Sequence, residues 1–243
     1  MKVSAGYDPA SYWNARVLRH GGLRGTGHIS YGENYNRWVY RAKDRALRRV
    51  MTDRPIAGCN VLDVGCGGGY FVDWYVSRGA RLTGIDISAH NIEKLRARGV
   101  GSFHVMDVSA VDARPLGLFD IVNVWDVLYH IVDDDAFERA LRFIVTNVEC
   151  EGLLLISDQL GASTDTRPAE HVRLRCLRTY LRVLSDLGFR LVTQQFVYRW
   201  LNRHVSIQTV DSQLGRFYYW LDGRETALPP DNVSLGVWQR THS

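Results

Sequence analysis

The chain has 243 residues, enough for one well-buried α/β domain with an appendage and too few for two full domains. Its 46% hydrophobic and 23% charged residues, with no low-complexity tract or repeat period, exclude a disordered or repeat protein. The net charge of +4 comes from scattered arginine without a lysine block, which speaks against a nucleic-acid partner and only weakly for an anionic one.

Residues 1–9 carry no apolar leader and no run elsewhere reaches membrane-spanning length, so the expectation is a cytoplasmic protein with no membrane partner. Residues 1–32 set glycines between aromatic anchors, with Trp13, His28 and Tyr31 among their rings. That composition suits a lid that folds over a ligand; a loosely packed N-terminal arm is the blander alternative. From Glu33 the apolar positions Tyr35, Trp38, Val39, Ala42, Ala46 and Val50 recur at steps of three and four, a helix expected beside the first strand. Cys59, Cys66, Cys150 and Cys176 form no CxxC pair and read as reduced structural thiols.

The run Val61-Leu62-Asp63-Val64-Gly65-Cys66-Gly67-Gly68-Gly69-Tyr70 is a short apolar stretch, an acid and then four glycines in five positions. Such a pattern is a buried strand turning sharply into a helix. The spacing is G-x-G-x-G, and Tyr70 stands where the dinucleotide motif G-x-G-x-x-G needs its third glycine. Asp63 would repel a phosphate there but attract an ammonium group. The next apolar stretch, Leu82-Thr83-Gly84-Ile85-Asp86, ends on an acid 21 residues after Gly65, at a distance where a carboxylate can accept both hydroxyls of a ribose. A nucleoside carrying an amino acid satisfies both acids. At these residues the chain resembles the class I S-adenosylmethionine (SAM)-dependent methyltransferases.

The elements that follow alternate. Phe71, Trp74 and Tyr75 begin a helix that Gly79 stops, residues 81–86 make the second strand, and Ser88 caps a helix that buries Ile92 and Leu95. Residues 102–106 form a third strand ending at Asp107, and residues 119–124 a fourth. Asp133, Asp134 and Asp135 open a helix with Phe137, Ala140, Leu141, Ile144 and Val148 on one face. Residues 153–157 form a fifth strand ending at Asp158, Pro168 and its neighbours read as loop, and Leu177 to Leu187 carry a helix closed by Gly188. Strands six and seven cover residues 189–198 and 234–239. This alternation predicts an α/β fold with a mostly parallel sheet and helices on both faces. The resemblance implies seven strands, the seventh antiparallel between the fifth and sixth. One domain spans 1–243, with a lid (1–32), a core (33–198 and 233–240) and an insert (199–232). The insert contains Trp200, His204, Phe217, Tyr218, Tyr219 and Trp220, too aromatic for a solvated loop, and either covers the substrate mouth or forms a homodimer contact.

The resemblance further implies SAM as cofactor and methyl transfer to oxygen or nitrogen of a small organic acceptor in specialised metabolism. Aminocarboxypropyl transfer or intramolecular cyclisation of SAM is the alternative that the same motif allows. Cofactor contacts are expected at Asp63, Gly65, Cys66, Gly67, Gly69, Asp86, Ile87, Asp107, Val108, Val124 and Trp125. Asp107 would hold the adenine amino group, or is a turn-forming aspartate; backbone around Val124 would meet the ammonium group. A sulfonium methyl needs alignment more than reactive side chains, but a hydroxyl nucleophile gains from a base. His130, sharing the turn after strand four with Tyr129 and Asp126, is the candidate base; a structural histidine bonded to backbone is the alternative. Trp13, His28, Tyr31 and Tyr35 are candidate substrate contacts. Within His171-Val172-Arg173-Leu174-Arg175, Arg173 and Arg175 either clamp a carboxylate or phosphate or lie on a solvated flank. Asp126 and Asp158 have no evident third oxygen ligand, so no metal is expected. Asn123-Val124-Trp125-Asp126 is not the N-P-P-Y type of sequence that grips a base amino group.

Overall fold

The computed structural model describes residues 7–110, 114–203 and 211–241. His204 of the insert, His242 and the first six residues of the lid segment lie outside the described residues. Where the glycine content points to a loop, the chain forms two helices, α1 (Pro9–His20) and α2 (Gly22–Thr26). The reason is Asp8-Pro9, a helix start: the Asp8 carboxylate accepts the Ser11 N–H at 3.0 Å, and proline supplies the φ of the first turn. Gly21, at φ 57°, then breaks the helix.

The amphipathic helix α3 (Glu33–Val50) follows, burying Tyr35, Val39, Ala42 and Ala46 along one stripe. Next, β1 (Asn60–Val64), α4 (Tyr70–Val76), β2 (Arg81–Asp86), α5 (Ala89–Arg96), β3 (Ser102–Val105) and β4 (Phe119–Trp125) alternate. A single 3-10 turn at Leu128–His130 leads into α6 (Asp134–Thr146) and β5 (Val148–Asp158). The expected loop around Pro168 is instead a two-stranded ribbon, β6 (Thr166–Ala169) paired with β7 (Val172–Leu174). Its register slips between Thr166 and Ala169, where Pro168 has no N–H to give to the ladder. The chain closes with α7 (Leu177–Asp186), β8 (Phe189–Tyr198), α8 (Asp211–Gly223) and β9 (Val233–Arg240).

Seven strands form one sheet in the order β3-β2-β1-β4-β5-β9-β8, parallel from β3 to β5, with β9 antiparallel between β5 and β8. Successive residues of the central strands feed opposite faces. Val61, Ile121, Leu153 and Leu155 pack with α3, α4 and α5, while Leu62, Val122, Leu154 and Ile156 pack with α6 and α7. Each such buried aliphatic contributes about 1.5–3 kcal/mol, which is why strands covered on both faces are mostly apolar. Because β1 to β5 run in parallel, the residues at or just beyond their C-terminal ends, including Val64, Asp86, Asp107, Trp125 and Asp158, gather along one edge of the sheet.

Of the described part of the insert, Asn202 lines a chamber at that edge, while the aromatic helix packs elsewhere. Helix α8 lies on α3, with Tyr219 against Trp38 at 5.4 Å and the Tyr219 carbonyl accepting from Arg45 Nη1 at 3.2 Å. Phe217 and Trp220 face outward, about half exposed. Among the described residues no helix is long and apolar enough to cross a membrane.

Candidate functional site

The strand-to-helix turn after β1 is held from below and open above. Gly65 has φ 71°, and a Cβ there would stand 2.2 Å from Val127 Cγ2, so only glycine fits. The N–H groups of Gly65 and Cys66 both donate to the Ile85 carbonyl, at 2.8 and 3.0 Å. Asp86 pins the next residues: Oδ2 accepts the Gly67 N–H at 2.8 Å and Oδ1 the Ser88 N–H at 2.7 Å. Burial raises the Asp86 carboxyl above its ordinary range, and these N–H donors oppose the rise.

Above the turn lies a cavity of about 650 Å³. Of the residues expected to hold a cofactor, Gly65, Cys66, Gly67, Asp86, Ile87, Asp107, Val108 and Trp125 are in its wall. Burial pushes the Cys66 thiol well up, so it stays a neutral apolar surface. Asp107 is both a wall residue and a turn residue, its Oδ1 accepting the N–H and hydroxyl of Ser109 at 2.8 and 2.7 Å. Trp125 stacks on Phe71 at 4.7 Å.

Three of the expected cofactor residues are not in this wall. Gly69, at φ 89°, is the N-cap of α4, and a Cβ there would meet Leu95. Val124 is fully buried in the core, because alternation along β4 turns its side chain away from the cavity. Asp63 lies one layer behind the turn, 2% exposed. Its Oδ1 accepts from Asn123 Nδ2 at 2.7 Å, and Asn123 Oδ1 in turn accepts from Trp125 Nε1 at 2.8 Å and the Tyr75 hydroxyl at 3.3 Å. Oδ2 of Asp63 is buried with no hydrogen-bond partner, and burial pushes this carboxyl up to about 7.

A second chamber of about 230 Å³ adjoins the first, and Thr26, Asp126 and His130 stand in the walls of both. His130 Nδ1 lies 3.0 Å from the His171 carbonyl. A carbonyl can only accept, so Nδ1 carries the proton and Nε2 keeps a lone pair. Burial, followed by smaller contributions including the nearby Arg16 charge, lowers His130 to about 4, so the ring is neutral at pH 7. Trp13, in the wall of the larger cavity, meets it edge-on at 4.8 Å. Tyr129 lines the smaller chamber, its hydroxyl pushed well up by burial and by Asp126 and Asp158. His28 lines it too.

Two acids also face this chamber. Asp126, at φ 57°, is in the left-handed region and is ion-paired with the buried Lys43 amine, while Oδ1 accepts the Ser157 hydroxyl at 3.2 Å. Burial pulls the Lys43 amine down, but Asp126 and Tyr40 outweigh it and the net direction is up. Asp158 is buried and pushed up to about 7; it is hydrogen-bonded by the Tyr180 hydroxyl and by the Gln159 N–H at 2.6 Å. Among the described residues no third ligand joins these acids.

The other expected substrate residues are elsewhere. Tyr35 is fully buried in the core with its hydroxyl donating to the Leu201 carbonyl at 3.0 Å; Tyr31 is 5% exposed and donates to the Asn202 carbonyl at 3.1 Å. Tyr35 belongs to the apolar stripe of α3, which faces the sheet. Arg173 and Arg175 line neither chamber. Arg175 is fully buried, its guanidinium bonded to Asp134 and to the Ile131 carbonyl at 2.9 Å and lying 3.9 Å over the Phe137 ring; Arg173 reaches the same Asp134 at 3.5 Å. Together they tie β7 to the turn that carries His130. The Lys43–Asp126 pair and Arg16 were missed: each sits at a helical or turn position where a charge ordinarily faces water.

A family model described as a methyltransferase domain matches residues 35–201. The ubiquinone biosynthesis O-methyltransferase of Chelativorans sp. (strain BNC1) is 29% identical over 155 residues, 62% of this chain and 51% of that protein, so the chain spans about half the length of the curated relatives it matches. Among solved structures, the magnesium protoporphyrin IX methyltransferase of Synechocystis PCC 6803 with bound SAM aligns at a TM-score of 0.62 and 16% identity, covering 98% of this chain and 99% of that one. The [4+2]-cyclase SpnF aligns at 0.57 and 18%, covering 84% and 83%. At such identities the likeness is one of fold, and fold alone does not specify a reaction.

Proposed function

This chain belongs to the methyltransferase-domain family, and from that premise we propose that it transfers a methyl group from SAM to oxygen or nitrogen of a small organic acceptor. The observation that carries this reading is the junction at His130, where a nucleoside-sized cavity over a glycine turn opens beside a smaller chamber. The residues present fit the cofactor. Asp86 uses one lone pair of each oxygen on backbone and has others for ribose hydroxyls, Ile87 and Val108 offer an apolar wall for an adenine, and Asp107 an acceptor at its edge. The unpartnered Oδ2 of Asp63 leaves an acid behind the turn whose ionised form favours a ligand ammonium group through the protein rather than by contact.

When bound, SAM supplies a methyl carbon already activated by its sulfonium. The protein's own work is alignment, exclusion of water and removal of a proton. Helices α1 and α2 supply Trp13, Val17, Leu23 and Thr26 to the larger cavity, and residues 1–32 are the lid in this reading. The His171 carbonyl holds the His130 ring in the tautomer whose Nε2 takes a proton from the acceptor, with Tyr129 beside it as a neutral hydroxyl that orients the acceptor. Mass spectrometry of the nucleoside released from SAM tests this: S-adenosylhomocysteine (SAH) is expected. Methylthioadenosine would instead establish aminocarboxypropyl transfer or cyclisation.

A further inference from the structure

Among the described residues three cationic side chains are buried: Arg16 at 8% exposure, Lys43 at 2% and Arg175 at 0%. Lys43 is paired with Asp126, and Arg175 with Asp134. Arg16 has no carboxylate within ion-pair distance among the described residues. Its Nη1 donates to the Tyr12 hydroxyl at 3.4 Å, Nη2 donates to the Gly27 carbonyl, and the guanidinium carbon lies 4.7 Å from the Trp13 ring. All three partners are neutral. The Nε–H is buried without any partner. A buried cation is ordinarily paired, because desolvating it without a counter-charge is costly.

Helix α1 places this guanidinium in the wall of the smaller chamber. The acids already there do not satisfy it. Asp126 is engaged by Lys43 and Ser157, and Asp158 by Tyr180 and the Gln159 N–H. Two of five guanidinium donors have protein acceptors, which leaves room for the two parallel bonds that a planar fork makes to a carboxylate. The chamber, about 230 Å³ and sharing Thr26, Asp126 and His130 with the larger cavity, has room for a one-ring acid.

We propose that the smaller chamber takes an acceptor that bears a carboxylate, paired with Arg16, while the methyl-receiving atom of that acceptor lies at His130. The inference rests on reading that chamber as the acceptor site. It makes Arg16 a specificity residue, and it locates the anion-binding arginine on α1 rather than at positions 173 and 175.

Calorimetric titration of the full chain with one-ring acids and their matched neutral amides, beginning with 4-hydroxybenzoate and 4-hydroxybenzamide, tests it. At least one acid is expected to bind about tenfold or more tightly than its amide. That preference should fall below about twofold in Arg16→Gln and return in part in Arg16→Lys, since lysine keeps the charge but not the fork. Thermal melting establishes that both variants are folded; if Arg16→Gln is not, the acid-versus-amide comparison in the unmodified chain decides. No acid in the panel outbinding its amide, or a preference unchanged in Arg16→Gln, overturns the proposal. SAH titrated in parallel reports on the larger cavity alone: bound SAH without anion preference defeats only this inference, whereas absence of SAH binding defeats the functional reading beneath it.

Discussion

Replacing Asp63 by asparagine removes a charge that the free protein holds at a cost. The carboxyl is pushed from its ordinary 3.8 up to about 7 by burial, with one oxygen held by Asn123 and the other unpartnered. Folded Asp63 therefore grips its proton more tightly than unfolded Asp63, and its contribution to stability, complete below pH 3.8, is lost as pH rises through about 7. The gap between those values corresponds to about 4 kcal/mol at alkaline pH. The Asp63→Asn variant escapes that loss but turns an amide donor into the unpartnered position, at about 1–3 kcal/mol. The net expectation is a variant about 1–3 kcal/mol more stable than the parent well above pH 7, with no advantage near pH 4. Ligand binding should move the other way. Removing the carboxylate removes its attraction for an ammonium group, so well above pH 7 SAM affinity should fall by roughly tenfold, about 1.4 kcal/mol. Urea unfolding at the two pH values and calorimetric titration with SAM measure both. A variant less stable by the same amount at both pH values, or one that binds SAM undiminished, would refute the reasoning.

His130→Gln keeps bulk and loses the proton acceptor, so kcat/KM for a hydroxyl acceptor should fall by about 10²–10⁴ while SAM affinity stays within a factor of about three; an undiminished rate would place the base elsewhere. Because burial lowers His130 from 6.5 to about 4, its stabilising share is complete above pH 6.5 and is lost as pH falls through about 4. Between pH 7 and pH 4 the parent chain should therefore lose about 3 kcal/mol that His130→Gln does not, as read from paired denaturant titrations. Gly65→Ala should cost about 2–4 kcal/mol through its left-handed backbone and its collision with Val127, and adding Val127→Ala should recover only the steric part; equal losses in the single and double variants would show that the clash is absent. Arg175→Met strips partners from Asp134 and the Ile131 carbonyl, and should lower stability by about 2–4 kcal/mol and slow turnover by loosening the turn under His130. An unchanged melting temperature would contradict that role.

Much of this was legible in the chain itself, for physical reasons that also mark where legibility stops. Strands covered on both faces are mostly apolar, so β1, β4 and β5 stand out as runs, and Asp63 and Asp158 stand out because they interrupt or end them. The antiparallel placement of β9 came from family resemblance, since pairing direction leaves no local signature. Helix α1 was hidden because the glycines and rings of residues 1–32 outweighed one cap-and-proline pair, Asp8-Pro9. Tyr35 was readable as core from its place in the α3 stripe, yet an aromatic near a ligand-binding segment invites the other interpretation. Arg175 and Arg16 show the firmer limit. An arginine in a sequence looks the same whether it is solvated, as surface statistics favour, or buried, and only packing distinguishes Arg175, which has its acid, from Arg16, which has none among the described residues.

Calorimetric titration of the full chain with SAH at neutral pH is the most direct examination of the glycine turn, Asp86 and the cavity above them. Saturable binding of one SAH per chain, lost when Asp86 is changed to alanine in a protein that still melts cooperatively, is the expected result. No heat with SAH or SAM, together with a clear signal from a nicotinamide dinucleotide, would contradict it.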